Sequence, residues 1–271
     1  MRASLVQLEV SDTESADDRR ARAAALVRGR AGDDLVVLPE LWPTGAWAYD
    51  DWRTGAEPIG IDGPTLRAMS VAARSAAVWL HAGTVVERDG GALYNTALVF
   101  DRTGALRGTY RKIHRYGFDT GEAAWMAAGR DVVTVPTDLG ELGLATCYDL
   151  RFPELFRALV DAGTEILVVP GAWPAGRREQ WRILVRARAV EEQAVVLACC
   201  AAGTHGGMEQ AGGSLVVDPW GTVLAEAGAG EEVLTAEVDT DAVAAIRAEL
   251  PVLRDRVLAI PAPGAGRSGP G

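Results

Sequence analysis

The chain has 271 residues, is 48% hydrophobic and carries 37 acidic against 27 basic side chains, a net charge of −10. That size suits one large domain or two small ones, and the apolar share suffices for a sizeable core. The acidic balance argues against nucleic acid or an anionic membrane surface as partner, and no apolar run approaches the roughly 20 residues of a membrane span. The N-terminus lacks the basic region and apolar stretch of a signal peptide. The three cysteines, two of them adjacent, offer neither a disulfide framework nor C-x-x-C metal spacing, and His81, His114 and His205 are too scattered for a zinc site. The expected setting is a reducing compartment, the cytoplasm.

Residues 2–10 alternate and predict a strand. Residues 11–30 are polar and alanine-rich and predict a surface helix capped by Ser11 or Asp12. Asp34-Leu-Val-Val-Leu-Pro-Glu40 is an apolar run of the parallel-sheet kind that ends in a carboxylate. Strand C-terminal ends are where open α/β sheets build sites, so Glu40 is a candidate general base; the plain alternative is a capping or loop-tethering acid. The aromatic loop 41–47 follows and suits a pocket wall. A helix over 64–75 precedes strands over 78–86 and 92–100. Asp101-Arg-Thr-Gly104 then turns the chain into 105–110, and this hairpin delivers Lys112. Of the 27 basic residues 26 are arginine, so Lys112, in Tyr110-Arg-Lys-Ile-His114, is the only lysine. Its compact charge on a flexible stem suits chemistry that aims one ammonium at one oxygen. His114 fits a structural hydrogen-bonding role, since Glu40 already supplies a base.

Residues 115–130 read as irregular, and 131–136 with 142–146 as a hairpin around Asp138-Leu-Gly140. The apolar run from Leu142 ends at Cys147, and Pro153 with Glu154 opens a helix over 152–162. Cys147 thus sits at a strand-to-helix turn. On position alone it is either a buried small hydrophobe or a thiol whose ionisation the helix end favours. The strand 165–169 ends at Pro170-Gly-Ala-Trp173 and echoes 35–42, which suggests two pseudo-repeated halves with loops on one face. A helix over 180–193 aligns Trp181, Leu184, Val185 and Arg188, with Glu191 or Glu192 available to pair the arginine. In the strand 195–200, Cys199 and Cys200 read as core. Strands within 212–221, 223–226 and 233–238 follow. Asp239 or Thr240 caps a last helix that has Val243, Ile246 and Leu250 at helical spacing. Residues 261–271 are rich in glycine and proline and read as a disordered tail beyond one domain over 1–260. Strands alternate with helices but hairpins interrupt them, which predicts a two-sheet α/β layer architecture.

Three motifs in this order, Pro39-Glu40-Leu, Tyr110-Arg-Lys-Ile-His114 and Cys147-Tyr-Asp-Leu-Arg-Phe-Pro-Glu154, resemble the nitrilase, or carbon–nitrogen hydrolase, superfamily over residues 2–257. The resemblance implies a four-layer α-β-β-α sandwich, usually a homodimer joined through helices beside the active cysteine. It implies a catalytic set of Glu40, Lys112 and Cys147. It matches Glu122 to a second glutamate that holds the lysine or helps position substrate. Tyr148, Arg151 and Trp173 are candidate substrate-binding residues, and Arg151 serves equally well as a salt-bridge partner. Two departures from the pattern stand out: Pro43 beside Thr44-Gly45, and the lack of an asparagine near the end of the 195–200 strand.

With these residue types, Glu40 would take the Cys147 proton and the thiolate would attack an amide carbonyl. Lys112 and the Tyr148 backbone N–H would stabilise the oxyanion. Loss of ammonia would leave a thioester for water to hydrolyse, with no metal or organic cofactor required. The branch most resembled is the ω-amidase one, acting on short dicarboxylic acid monoamides, with Arg115, Arg151, Arg177 and Arg178 available to clamp a carboxylate. The alternatives are an N-carbamoyl amine or amino-acid amidohydrolase, a nitrilase, a catalytically silent scaffold, and a papain-like hydrolase with His205 as base.

Overall fold

Alternating side chains and short apolar runs give two sheets, each packed on the other and covered by helices. A computed structural model describes residues 1–59, 63–117 and 119–258. The tail expected over 261–271 lies outside the described residues. The elements run β1 (Arg2–Gln7), α1 (Ala16–Arg28), β2 (Leu35–Val37), α2 (Asp51–Gly55), α3 (Pro64–Ala76), β3 (Trp79–Asp89), β4 (Ala92–Phe100) and β5 (Leu106–Arg111). Then come α4 (Glu122–Trp125), β6 (Thr134–Thr137), β7 (Gly140–Leu144), α5 (Pro153–Asp161), β8 (Ile166–Gly171), α6 (Arg178–Glu192) and β9 (Val195–Cys200). A two-residue hairpin, β10 (Thr204–His205) with β11 (Met208–Glu209), precedes β12 (Leu215–Val217), β13 (Val223–Glu226), β14 (Glu232–Glu237) and α7 (Ala242–Glu249).

One sheet has the order β14-β1-β2-β3-β4-β5 and the other β13-β12-β9-β8-β7-β6. At the centre of each, three strands are parallel: β1-β2-β3 in the first and β7-β8-β9 in the second. The echo between 35–42 and 165–173 is therefore a structural one, with β2 and β8 as equivalent middle strands. Alternation decides the layers. Leu35 and Val37 join the core between the sheets, whereas Val36 and Leu38 face Ala23, Val27, Met69 and Ala73 of α1 and α3. On the far side, Leu155, Phe156 and Leu159 of α5 and Trp181, Val185 and Ala189 of α6 cover the second sheet. The result is the expected α-β-β-α sandwich in one domain.

Local differences have local causes. Residues 11–14 stay outside α1, because Ser15 is the cap and accepts the Asp18 N–H at 3.1 Å. The last helix starts after Asp241 rather than Asp239 or Thr240, and Asp239 instead accepts the Asp241 N–H at 3.0 Å. Val243 and Ile246 are buried as predicted, but Leu250 follows the helix and is exposed. The stretch 115–130 holds the short helix α4. Arg188 pairs with Glu191 at 2.8 Å and lies over the Phe156 ring. Cys199 and Cys200 are buried, as expected of core thiols.

Glu192, at the end of α6, is fully buried with Arg157 3.2 Å away. Burial outweighs the arginine and raises its carboxyl to about 7. The folded state then holds a proton more tightly than the unfolded chain, so this residue costs stability as pH rises from about 4.5 to 7. Glu192→Gln should stabilise the fold by up to about 3 kcal/mol at pH 8 and by progressively less towards pH 5. Urea denaturation of both proteins across that range checks this; a gain independent of pH would refute it.

Candidate active site

The C-terminal ends of β2, β5, β7 and β8 converge, and each brings one part of the site. After β2 the chain passes Pro39 to Glu40, which is buried. Leu41 then takes a left-handed φ of +44°, and its N–H is held by the Thr84 hydroxyl at 2.8 Å. This fixes the direction in which Glu40 leaves the strand. Close packing beside it requires glycine at position 83, since a Cβ there would sit 1.9 Å from the Pro39 carbonyl oxygen.

The expected residues do meet. The Lys112 ammonium donates to Glu40 Oε1 at 2.6 Å and to Glu122 Oε2 at 2.6 Å. The loop after β8 reaches over to donate the Ala172 N–H to Glu40 Oε2 at 3.0 Å. Glu122 Oε2 also accepts the Tyr116 N–H at 2.8 Å. One further residue belongs to this cluster, Asn95 of β4. Its amide donates to Glu40 Oε1 at 2.9 Å and to Glu122 Oε1 at 2.6 Å, bridging the two carboxylates. A signal for it exists in the sequence: Asn95 shares the inward face of its strand with Ala97 and Val99, where an amide needs partners.

Cys147 follows β7 with φ +47°, opening a short 3-10 turn (Cys147–Arg151) that leads to Pro153 at the start of α5. The geometry matches the predicted strand-to-helix turn, but the electrostatics differ. Burial first, and then the negative charge of Glu40, push the thiol well above its usual range, while Lys112 opposes them. The field expected from the helix end is outweighed here by burial and by the adjacent carboxylate. Burial pushes Lys112 down, but Glu122 and Glu40 more than reverse this and hold it well above the usual lysine range. Glu122 is raised by burial and by Glu40, against the pull of Lys112.

The turn is tied to the lysine strand by Asp149, which is fully buried. Its Oδ1 accepts the His114 N–H at 3.0 Å and lies 2.7 Å from His114 Nδ1. Its Oδ2 accepts the Tyr110 hydroxyl and the Thr146 N–H, each at 2.8 Å. Residues two before and two after Lys112 thus grip a carboxylate two residues after Cys147. His114 has the structural role expected of it and stacks on Phe152 at 3.8 Å.

A small cavity of about 40 Å³ opens over Cys147, Glu40, Lys112 and Glu122. Tyr148, Arg151 and Trp173 line it, as do Leu41, Ala46 and Trp47 of the aromatic loop. Tyr116 and Arg177 also line it. Trp42 points away, fully buried, with its indole N–H on the Ala82 carbonyl at 2.9 Å. Pro43 serves the loop through its carbonyl, which with that of Trp42 accepts the buried Arg19 guanidinium at 3.1 Å. His205 is not among the lining residues; its ring packs against Gly45.

This fold and cluster define a hydrolase class, and the comparisons with known proteins agree. The chain belongs to the carbon–nitrogen hydrolase family, whose profile matches residues 2–248. It is 42% identical to the 2-oxoglutaramate amidase of Paenarthrobacter nicotinovorans over 93% of this chain and 87% of that protein. It is 36% identical to the omega-amidase NIT2 of Mus musculus, covering 94% of each. Its fold is similar to the crystal structure of Saccharomyces cerevisiae Nit3, a member of branch 10 of the nitrilase superfamily. The TM-score is 0.85 and the identity 30%, over 93% of this chain and 94% of that one.

Proposed function

We propose that this carbon–nitrogen hydrolase is an ω-amidase-like enzyme that releases ammonia from short dicarboxylic acid monoamides. The observation that carries the chemistry is the buried Glu40–Lys112–Glu122 cluster opening, with Cys147, onto one small cavity. Similarity to a 2-oxoglutaramate amidase and to an omega-amidase supports the substrate class.

In this reading Glu40 accepts the Cys147 proton as sulfur bonds to the amide carbon, and the carbonyl electron pair moves to oxygen. Lys112 and the Tyr148 N–H hold that oxyanion. The pair then reforms the carbonyl, the C–N bond breaks, and Glu40 returns its proton to the departing nitrogen as ammonia leaves. Glu40 next takes a proton from water, whose oxygen attacks the thioester. The C–S bond breaks, the acid product leaves, and Cys147 regains a proton. Glu122 and Asn95 position Lys112 and Glu40 throughout. The catalytic unit spans residues 1–260, and the three free thiols suit the cytoplasm. No described helix is long and apolar enough to cross a membrane.

Ammonia release from 2-oxoglutaramate, succinamate, an N-carbamoyl amine, an aliphatic amide and a nitrile tests the reading. Release confined to the monoamides and absent in Cys147→Ala is expected. Release from the carbamoyl compound alone would keep the mechanism and replace the substrate.

The partner is a second copy of the chain, joined through the outer face of α6. Ile183 and Val190, seven residues apart on that helix, are 56% and 51% exposed, and Trp220, next to the Gly221 whose carbonyl accepts Arg186 Nε at 3.0 Å, is 53% exposed. Light scattering should give a dimer mass that falls on Ile183→Glu; a monomeric parent would remove this assignment.

A further inference from the structure

We infer that Arg177, oriented by Tyr116, is the residue that receives the substrate's distal carboxylate, with Arg151 completing an anion subsite at the end of the pocket away from Lys112. This rests on the monoamide reading above and adds the residues that would enforce it.

The argument begins with charge. Around Lys112 two carboxylates, Glu40 and Glu122, already share one ammonium. A substrate carboxylate brought there would be a third negative group beside one cation, in a buried setting where such repulsion is strong. The amide must therefore face this end and the carboxylate must lie elsewhere. Among the described lining residues, the only other charged side chains are Arg151 and Arg177. The pocket wall thus carries two carboxylates and one ammonium in one cluster, and two guanidiniums outside that cluster.

Both guanidiniums are held in place without being neutralised. Arg177 Nη2 donates to the Tyr116 hydroxyl at 3.0 Å, and its head lies 5.6 Å from the centre of that ring. The Arg177 carbonyl accepts the Trp173 indole N–H at 2.9 Å, so its backbone is fixed too. Arg151 lies over the Trp173 ring at 4.9 Å and donates to Gln180 Oε1 at 2.6 Å. Among the described residues, no carboxylate lies within ion-pair distance of either one. Arg115 and Arg178 are not among the lining residues; Arg115 donates to the Met126 carbonyl at 2.7 Å, and Arg178 to the Ala211 carbonyl. An arginine steered by phenol and indole groups keeps its full charge and its planar fork for an incoming carboxylate.

Tyr116 also sets the span. Its N–H binds Glu122, and its ring sits edge-on between Trp47 at 5.7 Å and Tyr148 at 5.4 Å. One rigid residue therefore links the acidic end to the guanidinium, which fixes the separation between amide and carboxylate sites and selects chain length. The first turn of α6 begins at Arg178, so the positive end of that helix adds to the same rim.

The test compares succinamate with butyramide, which has the same amide and chain but no carboxylate, on the wild-type enzyme, Arg177→Met, Arg177→Lys, Tyr116→Phe and Arg151→Met. The wild type should prefer succinamate. Arg177→Met should lose about 10- to 100-fold in kcat/KM on succinamate, mostly through KM, the size expected for one hydrogen-bonded charge contact, and much less on butyramide. Arg177→Lys should recover part of the loss, and Tyr116→Phe should lose less than Arg177→Met on succinamate alone. Equal losses on both amides, or a loss confined to Arg151→Met, would overturn the assignment of Arg177 while leaving the monoamide reading intact. A wild type without preference for succinamate would overturn both.

Discussion

Lys112→Met should lower ammonia release by about 10²–10³-fold, the usual consequence of removing one oxyanion donor, and should destabilise the fold by about 3–5 kcal/mol. The two losses have separate origins. Lys112 is held well above the usual lysine range by Glu122 and Glu40, against the opposing effect of burial. A base whose folded value exceeds its unfolded value contributes stability that is complete below the unfolded value and disappears as pH rises through the folded one. At neutral pH that contribution is fully present, so its removal is felt in full. Without the ammonium, Glu40 and Glu122 are buried together with only Asn95 between them, and one must take up a proton. A second substitution separates the effects. Lys112→Met combined with Glu122→Gln removes one of the two negative charges and should regain most of the stability, measured by urea denaturation at pH 7. It should regain none of the turnover, because the oxyanion donor is still missing. Recovery of turnover in the double variant would mean that Lys112 only balances charge.

The parts of this site readable in advance are those whose chemistry and strand position coincide. Glu40 and Cys147 each terminate an apolar run, so burial of the strand places them at a sheet end whatever the rest of the chain does. Lys112 was conspicuous as a single lysine in an arginine-rich chain. Glu122 was harder, because α4 is only four residues long and its carboxylate is placed by Lys112, Asn95 and the Tyr116 N–H, which lie outside the helix itself. Asn95 is not legible, because an amide inside a strand reads as a weak strand former, and only the fold turns its face towards two carboxylates. The roles of Tyr116 and Arg177 depend on two loops meeting across the pocket, a contact 61 residues apart that no local pattern encodes. The thiol's electrostatics are hidden from the sequence for a related reason. A helix start is visible in the sequence, whereas the depth of burial follows from the packed fold, and the carboxylate that adds to it arrives from 107 residues away, across the sandwich.

Glu40→Gln separates the two functions assigned to that carboxylate, because it should abolish most turnover while making Cys147 easier to ionise. Turnover should fall by about 10²–10⁴-fold, the range for loss of a general acid–base group, since no other described side chain on the cavity wall is placed to take the thiol proton and return it to the leaving nitrogen. Thiol ionisation should move the opposite way. Burial and the Glu40 charge raise the Cys147 thiol, and Lys112 lowers it. Replacing Glu40 by a neutral amide removes a raising influence and frees Lys112 from one of its two carboxylates, so the net shift is downward. The rate of alkylation by iodoacetamide, followed from pH 6 to 10, should therefore reach half its maximum at lower pH in Glu40→Gln than in the parent, with Cys147→Ala subtracting the reaction of Cys199 and Cys200. The nucleophile would become more anionic while the enzyme becomes slower, which is the outcome required if Glu40 limits the rate through proton transfer and not through holding the fold. An alkylation profile that moves upward, or activity that survives the substitution, would transfer the base role to another group.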